Sequence, residues 1–275
     1  MNGRRAVVGL CMLCALLVSA FAAQSASAAP STTAVTCKEG PGDTVETTFA
    51  DAHCKTGPSG SFGHYKINEN TTTTLTGRAG SEFSKLKATL GGVATTLTST
   101  SLSGTGSMEN KLSGSEHWAE GTGTIVYENV TVTPFEKCFV YTDDGTATPG
   151  AKGVVDTVEL AATTKGVSGG MGLKFSPKEG TVFARFWILD ENKVGAGGNC
   201  KIPGTYSVSG SVIATPEGAT ATTTHAGTTE QNTLKMGTGE PTIKAGIDGS
   251  LTIEGKHPGI GGDTFKPLSV TTYTS

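Results

Sequence analysis

Glu116-His-Trp-Ala-Glu120 is the stretch whose residue types could do chemistry. Side chains on a strand alternate between faces, so Glu116, Trp118 and Glu120 share one face and His117 shares the other with Ala119. An indole between two carboxylates suits a sugar, because the ring offers an apolar platform and the carboxylates accept hydroxyl protons. Four strand positions at ~3.3 Å each set the two glutamate Cα atoms ~13 Å apart. The carboxyl pair of a glycosidase stands ~5 to 9.5 Å apart, so this spacing favours holding a glycan over cleaving it. The plain alternative packs Trp118 on a neighbouring strand and leaves both glutamates in water.

Other reactive patterns are weaker. Gly166-Val-Ser-Gly-Gly170 matches G-x-S-x-G, but that elbow needs a helix after the serine, and Met171-Gly-Leu-Lys-Phe175 reads as strand. His53, His64, His117, His225 and His257 show no close pairing, so the sequence implies neither a metal site nor a cofactor. Asp143-Asp144-Gly145 and Asp190-Glu-Asn192 read as turns, because neither has the spacing of a dedicated calcium loop. Asn70 and Asn129 head glycan sequons, used only if the host glycosylates them.

The elements that must position these residues read as strands. In Thr181 to Leu189, Val182, Ala184, Phe186 and Ile188 line one face, while Phe183, Trp187 and Leu189 cover much of the other. Thr205 to Ala214 alternates Tyr206, Val208 and Val212 with Thr and Ser, which predicts a half-buried partner for the first strand. Further strands are expected at 62–67, 71–76 and 93–102, at Ile125 to Thr133 as one long strand, and at Phe135 to Tyr141. Ser81 to Leu90 fits strand or helix, and β context favours strand. Ala29 to Ala50 is expected to supply an edge strand and loop, and Thr215 to Thr242 a long connection or weak edges. Gly104-Thr-Gly106 and Gly121-Thr-Gly123 read as two turns, each opening a strand. The expected fold class is all-β, an antiparallel β-sandwich with Greek-key or meander connections.

The chain begins with a short basic segment, Met1 to Arg5, then the apolar run Ala6 to Ala23 and an A-x-A site at Ala26-Ser27-Ala28. A secretory signal peptide over residues 1–28 is therefore expected, with residues 29–275 as a single disulfide-stabilised β domain and a candidate subdomain boundary near 142–152. Removing 28 of the 275 residues, Arg4 and Arg5 among them, leaves 247 with 19 basic against 24 acidic side chains, a net charge of −5. That balance gives no electrostatic reason to bind nucleic acid or anionic lipid. Aromatics at 6% are too few for the girdles of an outer-membrane barrel, so no membrane span is expected after cleavage.

Charged residues are 16% of the chain, below the ~25% of an average globular protein, so solubility rests on hydroxyls. Four cysteines follow the leader. An even count in an exported chain implies two disulfides, and spacing favours Cys37–Cys54 and Cys138–Cys200 among the three connectivities.

Asp51-Ala-His-Cys54 with Gly60 to Tyr65, His117 to Tyr127, Asn199 to Tyr206 and Ala219 to His225 resemble a set of bacterial secreted, Thr/Gly-rich all-β proteins of unassigned function. The resemblance implies an exported protein and carries over no activity. The reading reached from sequence is a secreted, extracellular or cell-surface binding or structural module, non-enzymatic, with a glycan or cell-envelope component as partner through Glu116, Trp118 and Glu120. The rival is an extracellular carbohydrate-active enzyme. A third reading, ice binding, needs an evenly spaced Thr array, which runs such as Thr71 to Thr74 do not supply.

Overall fold

The structure is a computed structural model that describes residues 31–272 except 41, 43–47, 52–53, 55–59, 69–71, 81–82, 168–169, 218–219, 224–231 and 257–264. The expected leader, His53, His225, His257, Asn70 and Ser168 lie outside the described residues. Every regular element described is a strand. In chain order these are β1 (Thr32–Glu39), β2 (Phe62–Lys66), β3 (Thr73–Ala79), β4 (Ser84–Leu90), β5 (Val93–Ser99), β6 (Ser101–Ser113) and β7 (Glu116–Glu128). Next come β8 (Thr131–Thr133), β9 (Phe139–Thr142), β10 (Val155–Asp156), β11 (Leu160–Val167), β12 (Gly170–Pro177) and β13 (Val182–Leu189). The last are β14 (Gly204–Ser209), β15 (Val212–Glu217), β16 (Thr220–Thr223), β17 (Lys235–Gly237), β18 (Ile243–Lys256) and β19 (Phe265–Thr272).

Their antiparallel pairings close into a barrel. Around it run β3, β6, β7, β11, β12, β15, β16 and the second half of β18, which returns to β3 through Ile253↔Gly77 and its neighbours. A second ring is traced by β4, β5, β8, β9, β13, β14, β17 and the first half of β18. Its weakest link is β8 to β9, a single pair at Thr131↔Phe139. The Cys138–Cys200 disulfide stands beside that link and ties the start of β9 to the loop after β13. Cys37–Cys54 is the other bridge, so both have the connectivity that spacing favoured.

The expected sandwich is therefore corrected to closed antiparallel rings. Alternation of buried and exposed residues is the same on an open layer and on a barrel wall; closure rests on β18 meeting β3 and β4, which are remote in sequence. Two cores correspond to the rings. One gathers Leu97, Val140, Phe186, Ile188, Val208 and Met236, the other Ala34, Met108, Ala119, Leu173, Ile253 and Leu268, and Phe175 packs against both. The hollows among the core side chains are small, about 50 Å³ beside Leu97 and Phe186 and about 60 Å³ beside Leu75 and Ile253. Ligand pockets usually run from ~300 Å³ upward, so the rings are filled by their own side chains.

Several expected strands prove to be halves of longer, broken ones. Ile125 to Thr133 divides at Asn129, whose φ of 52° is left-handed, and Thr205 to Ala214 divides at Gly210, with φ 106°. Each break passes the chain from one ring to the other. The ambiguous Ser81 to Leu90 region is strand from Ser84, and Thr215 to Thr242 holds the rest of β15, then β16 and β17. The 142–152 stretch folds back on β9, where the Thr142 N–H donates to Ala151 O and the Gly153 N–H to Val140 O.

The Gly-Thr-Gly repeats are not turns. They lie inside β6 and β7 with Gly106 opposite Gly123 and Thr105 opposite Thr124. A Cβ on Gly106 would come within 2.4 Å of Thr122 O, and one on Gly121 within 2.1 Å of Ser107 O, so the backbones approach too closely for any side chain there.

β1, expected at an edge, is central between β2 and β19 and buried along Thr32 to Cys37. It lies against one end of the barrel. Asn110, itself buried, accepts from the Ala34 N–H at 2.7 Å and donates to Ala34 O at 3.0 Å and Ile67 O at 2.8 Å. Thr32 Oγ1 and Thr164 Oγ1 meet at 2.7 Å, which fixes β1 to β11. Three charge-free but fully used hydrogen bonds in a dry site favour one register of β1 over slipped ones.

Two predictions follow from this packing. Gly249, where β18 leaves one ring for the other, has φ 142°, and a Cβ there would meet Ser84 Cα at 2.8 Å and Phe83 O at 3.0 Å. Gly249→Ala is expected to cost ~3 kcal/mol or more in urea unfolding, because the strained φ and the backbone clash add; unchanged stability would refute this account of the bend. Burial pushes the Tyr127 phenol up to about 12 and raises Tyr141 and Tyr206 in the same direction. The folded chain then keeps protons that the unfolded chain releases near pH 10, so stability falls as pH rises from 10 towards 12. Tyr127→Phe should flatten that decline in a pH series of urea melts without abolishing it.

Candidate functional site

The outward wall of β6 and β7 carries the sequence-predicted residues. Glu116, Trp118 and Glu120 alternate along β7, with buried Ala119 facing inward between them. Glu116 is exposed at the hairpin end opposite Ser113, one step beyond the rest. Trp118 is half-buried, and its indole N–H donates to Glu120 Oε2 at 3.1 Å. That bond fixes both the ring plane and the carboxylate.

Register brings in partners that sequence reasoning missed. Lys111 lies opposite Trp118, Glu109 opposite Glu120, and Thr163 of β11 flanks Glu120 on the other side. Two carboxylates directly across a strand pair repel unless a cation intervenes. Lys111 supplies it: its Nζ contacts Glu109 and lies 3.7 Å from Glu120 Oε1. The Thr72 hydroxyl donates to Glu109 Oε2 at 3.1 Å. Between these groups opens a surface hollow of about 260 Å³, floored by Met108 and Gly121 and rimmed by Ser107, Glu109, Glu120 and Thr163. The turn at Gly114, with φ 63°, was the available signal, because once Ser113 pairs with Glu116 the whole register follows.

Such a site offers carboxylate acceptors, hydroxyls that both donate and accept, one ammonium and one indole face. It suits a polyhydroxylated ligand. The other reactive patterns have structural duties. Gly166 and Val167 end β11 and Gly170 opens β12, so the G-x-S-x-G motif spans an antiparallel hairpin without the helix an elbow requires. Asp190 is buried and accepts from the backbone N–H groups of Asn192, Val194 and Asn199, which organises the loop before Cys200. Asp143 and Asp144 cap turns through Gly145 and Thr146, and the Thr146 bonds hold the Asp144 carboxyl below its ordinary range. Among the described residues no cluster of His, Cys, Asp and Glu could hold a metal ion.

A larger hollow of about 390 Å³ lies by the Cys138–Cys200 bridge, lined by Pro134, Phe135, Lys137, Asn199 and Lys201. Among the described residues no helix is long and apolar enough to cross a membrane. Comparison with known proteins finds no matching family model, curated protein or solved structure.

Lys111→Met leaves Glu109 and Glu120 facing each other without a cation. The expected loss is ~0.5 to 1 kcal/mol at low salt, given the partial exposure of all three groups, shrinking as salt is added. Thermal melts at low and high ionic strength check it.

Proposed function

We propose that this protein is an exported glycan-binding module of the cell surface or extracellular space, acting without catalysis through Trp118, Glu120 and Glu109. The observation that carries the reading is the Trp118 indole held on Glu120 at 3.1 Å beside a hollow rimmed by hydroxyls and carboxylates. A fixed ring loses little freedom when a pyranose stacks on it, and preoriented acceptors lose little when hydroxyls reach them. Both disulfides are consistent with an oxidising, extracellular setting.

One observation favours the rival, a carbohydrate-active enzyme: Glu109 stands directly across from Glu120, far nearer than Glu116. Against it, Lys111 and Trp118 already hold the two carboxylates as acceptors, and they sit on an open wall rather than in a dry cleft.

On an array of neutral and acidic glycans the protein should be retained on a subset, and Trp118→Ala should weaken binding at least about tenfold, or ~1.4 kcal/mol. Glu116→Ala should bind as the native chain does. Release of new reducing ends from a bound glycan, lost on Glu120→Gln, would establish the enzyme instead. An array with no retained glycan would overturn the proposal.

A further inference from the structure

The site continues beyond its hollow as an ordered strip. Cross-strand registers place Thr72, Glu109, Glu120 and Thr163 near one level of the outer wall, Thr74, Ser107, Thr122 and Ala161 on the next, and Thr76, Thr105 and Thr124 on the third. Thr74, Thr105 and Thr124 are exposed, while the alternate positions Gly104, Gly106, Gly121 and Gly123 face inward. Over 104–107 and 121–124 these strands thus carry their side chains on the outer side only, and there they are hydroxyls.

We propose that this strip is a track for one linear, neutral polysaccharide chain lying along β6 and β7, anchored at Trp118 and running to Thr105 and Thr124. The proposal rests on the glycan reading above and names its substrate class. From Trp118 to Thr124 is six strand positions, ~20 Å at ~3.3 Å each, long enough for several pyranose rings in a row. Beyond Trp118 the track has no second aromatic platform; each further sugar meets only hydroxyls, whose bonds exchange with water for little net gain. Useful affinity then requires several units engaged together, so a polymer is the fitting ligand and a single terminal sugar is not.

Charge favours a neutral chain. Glu109, Glu120 and Glu254 line the strip with Lys111, Arg78 and Lys174, which lies opposite Thr163, and Arg78 is engaged with Glu254 at 3.5 Å. That balance leaves no net attraction for a uronic or sulfated chain. Curvature separates the proposal from ice binding: a barrel wall twists between strands, so the hydroxyl rows cannot match a flat lattice in two dimensions, whereas a flexible chain follows them in one.

The second ring supplies an internal control. Thr96 and Thr98 of β5 pair with Thr133 and Thr131 of β8, the same residue type on the same kind of wall, without the Trp118 and glutamate anchor. Calorimetric titration of the full chain with gluco-, manno- and xylo-oligosaccharides of one to six units tests the track. For at least one series, affinity should climb at least tenfold from one unit to six. The isosteric double variant T105V/T124V, its fold checked by circular dichroism, should lose most of that climb while binding the shortest ligands as before. T96V/T133V should behave as the native chain.

If the double variant retains the full climb, or affinity does not depend on length, the track is wrong while glycan binding at Trp118 stands. Preference for polyanionic chains also overturns it. If the native protein binds no oligosaccharide, or inhibits ice recrystallisation without binding any, both readings fall together.

Discussion

One strand running through both rings is the constraint on which the remainder of the structure depends. β18 pairs with β17 and β4 over Ile243 to Asp248, and with β16, β3 and β19 over Gly249 to Lys256. It can do so only by turning at Gly249, where φ is 142° and the backbone of Phe83 and Ser84 fills the space a Cβ would need. A shared strand forces the two rings to keep one cyclic order. β3 continues into β4, β5 into β6, β7 into β8, β12 into β13 and β14 into β15, each at the same place around the wall. The rings therefore cannot part as separate domains without breaking hydrogen bonds in both.

Local periodicity made the strands legible and left their closure hidden. Val182 to Leu189 and Tyr206 to Val208 announce β13 and β14 because burial alternates at period two wherever a wall has an inside. The same alternation holds for a sandwich, so nothing local could choose between the two architectures. The breaks were hidden for another reason. Asn129 and Gly210 interrupt runs that remain apolar on both sides, since the chain leaves one core only to enter the next. β1 reads as an edge in sequence because Thr32, Thr33 and Thr36 are polar; their burial is made tolerable by partners far along the chain, including Thr164 for Thr32, while Asn110 satisfies the backbone beside them. Disulfide spacing was informative because short loops close at low entropic cost, and the two bridges follow it.

Half of the candidate site could be read in one dimension. Trp118 and Glu120 share a face by strand geometry alone, and the bond between them is an i, i+2 contact. Glu109, Lys111 and Thr72 belong to it only through register, which Gly114 and the closure of β3 on β6 determine. Glu116 shares that face and stands opposite Ser113 at the hairpin end. Reading one strand gives a face; reading its neighbour is what turns a face into a site.

The repeated Gly-Thr-Gly joins fold to surface more closely than a turn would. Inward glycines let β6 and β7 approach with no side chain between backbone and core, so that stretch adds little to the filling of the barrel. Packing therefore leans on Met108, Ala119, Leu173 and Ile253 instead. A wall that keeps its side chains outside gives up core volume for an outer surface of hydroxyls, and hydroxyls on strands cost little solubility where charges are scarce. The hollows among the core side chains, about 50 and 60 Å³, are well below the size of a ligand pocket. The wall instead presents a backbone that sets hydroxyls at the strand repeat, beside the Trp118 indole held on Glu120.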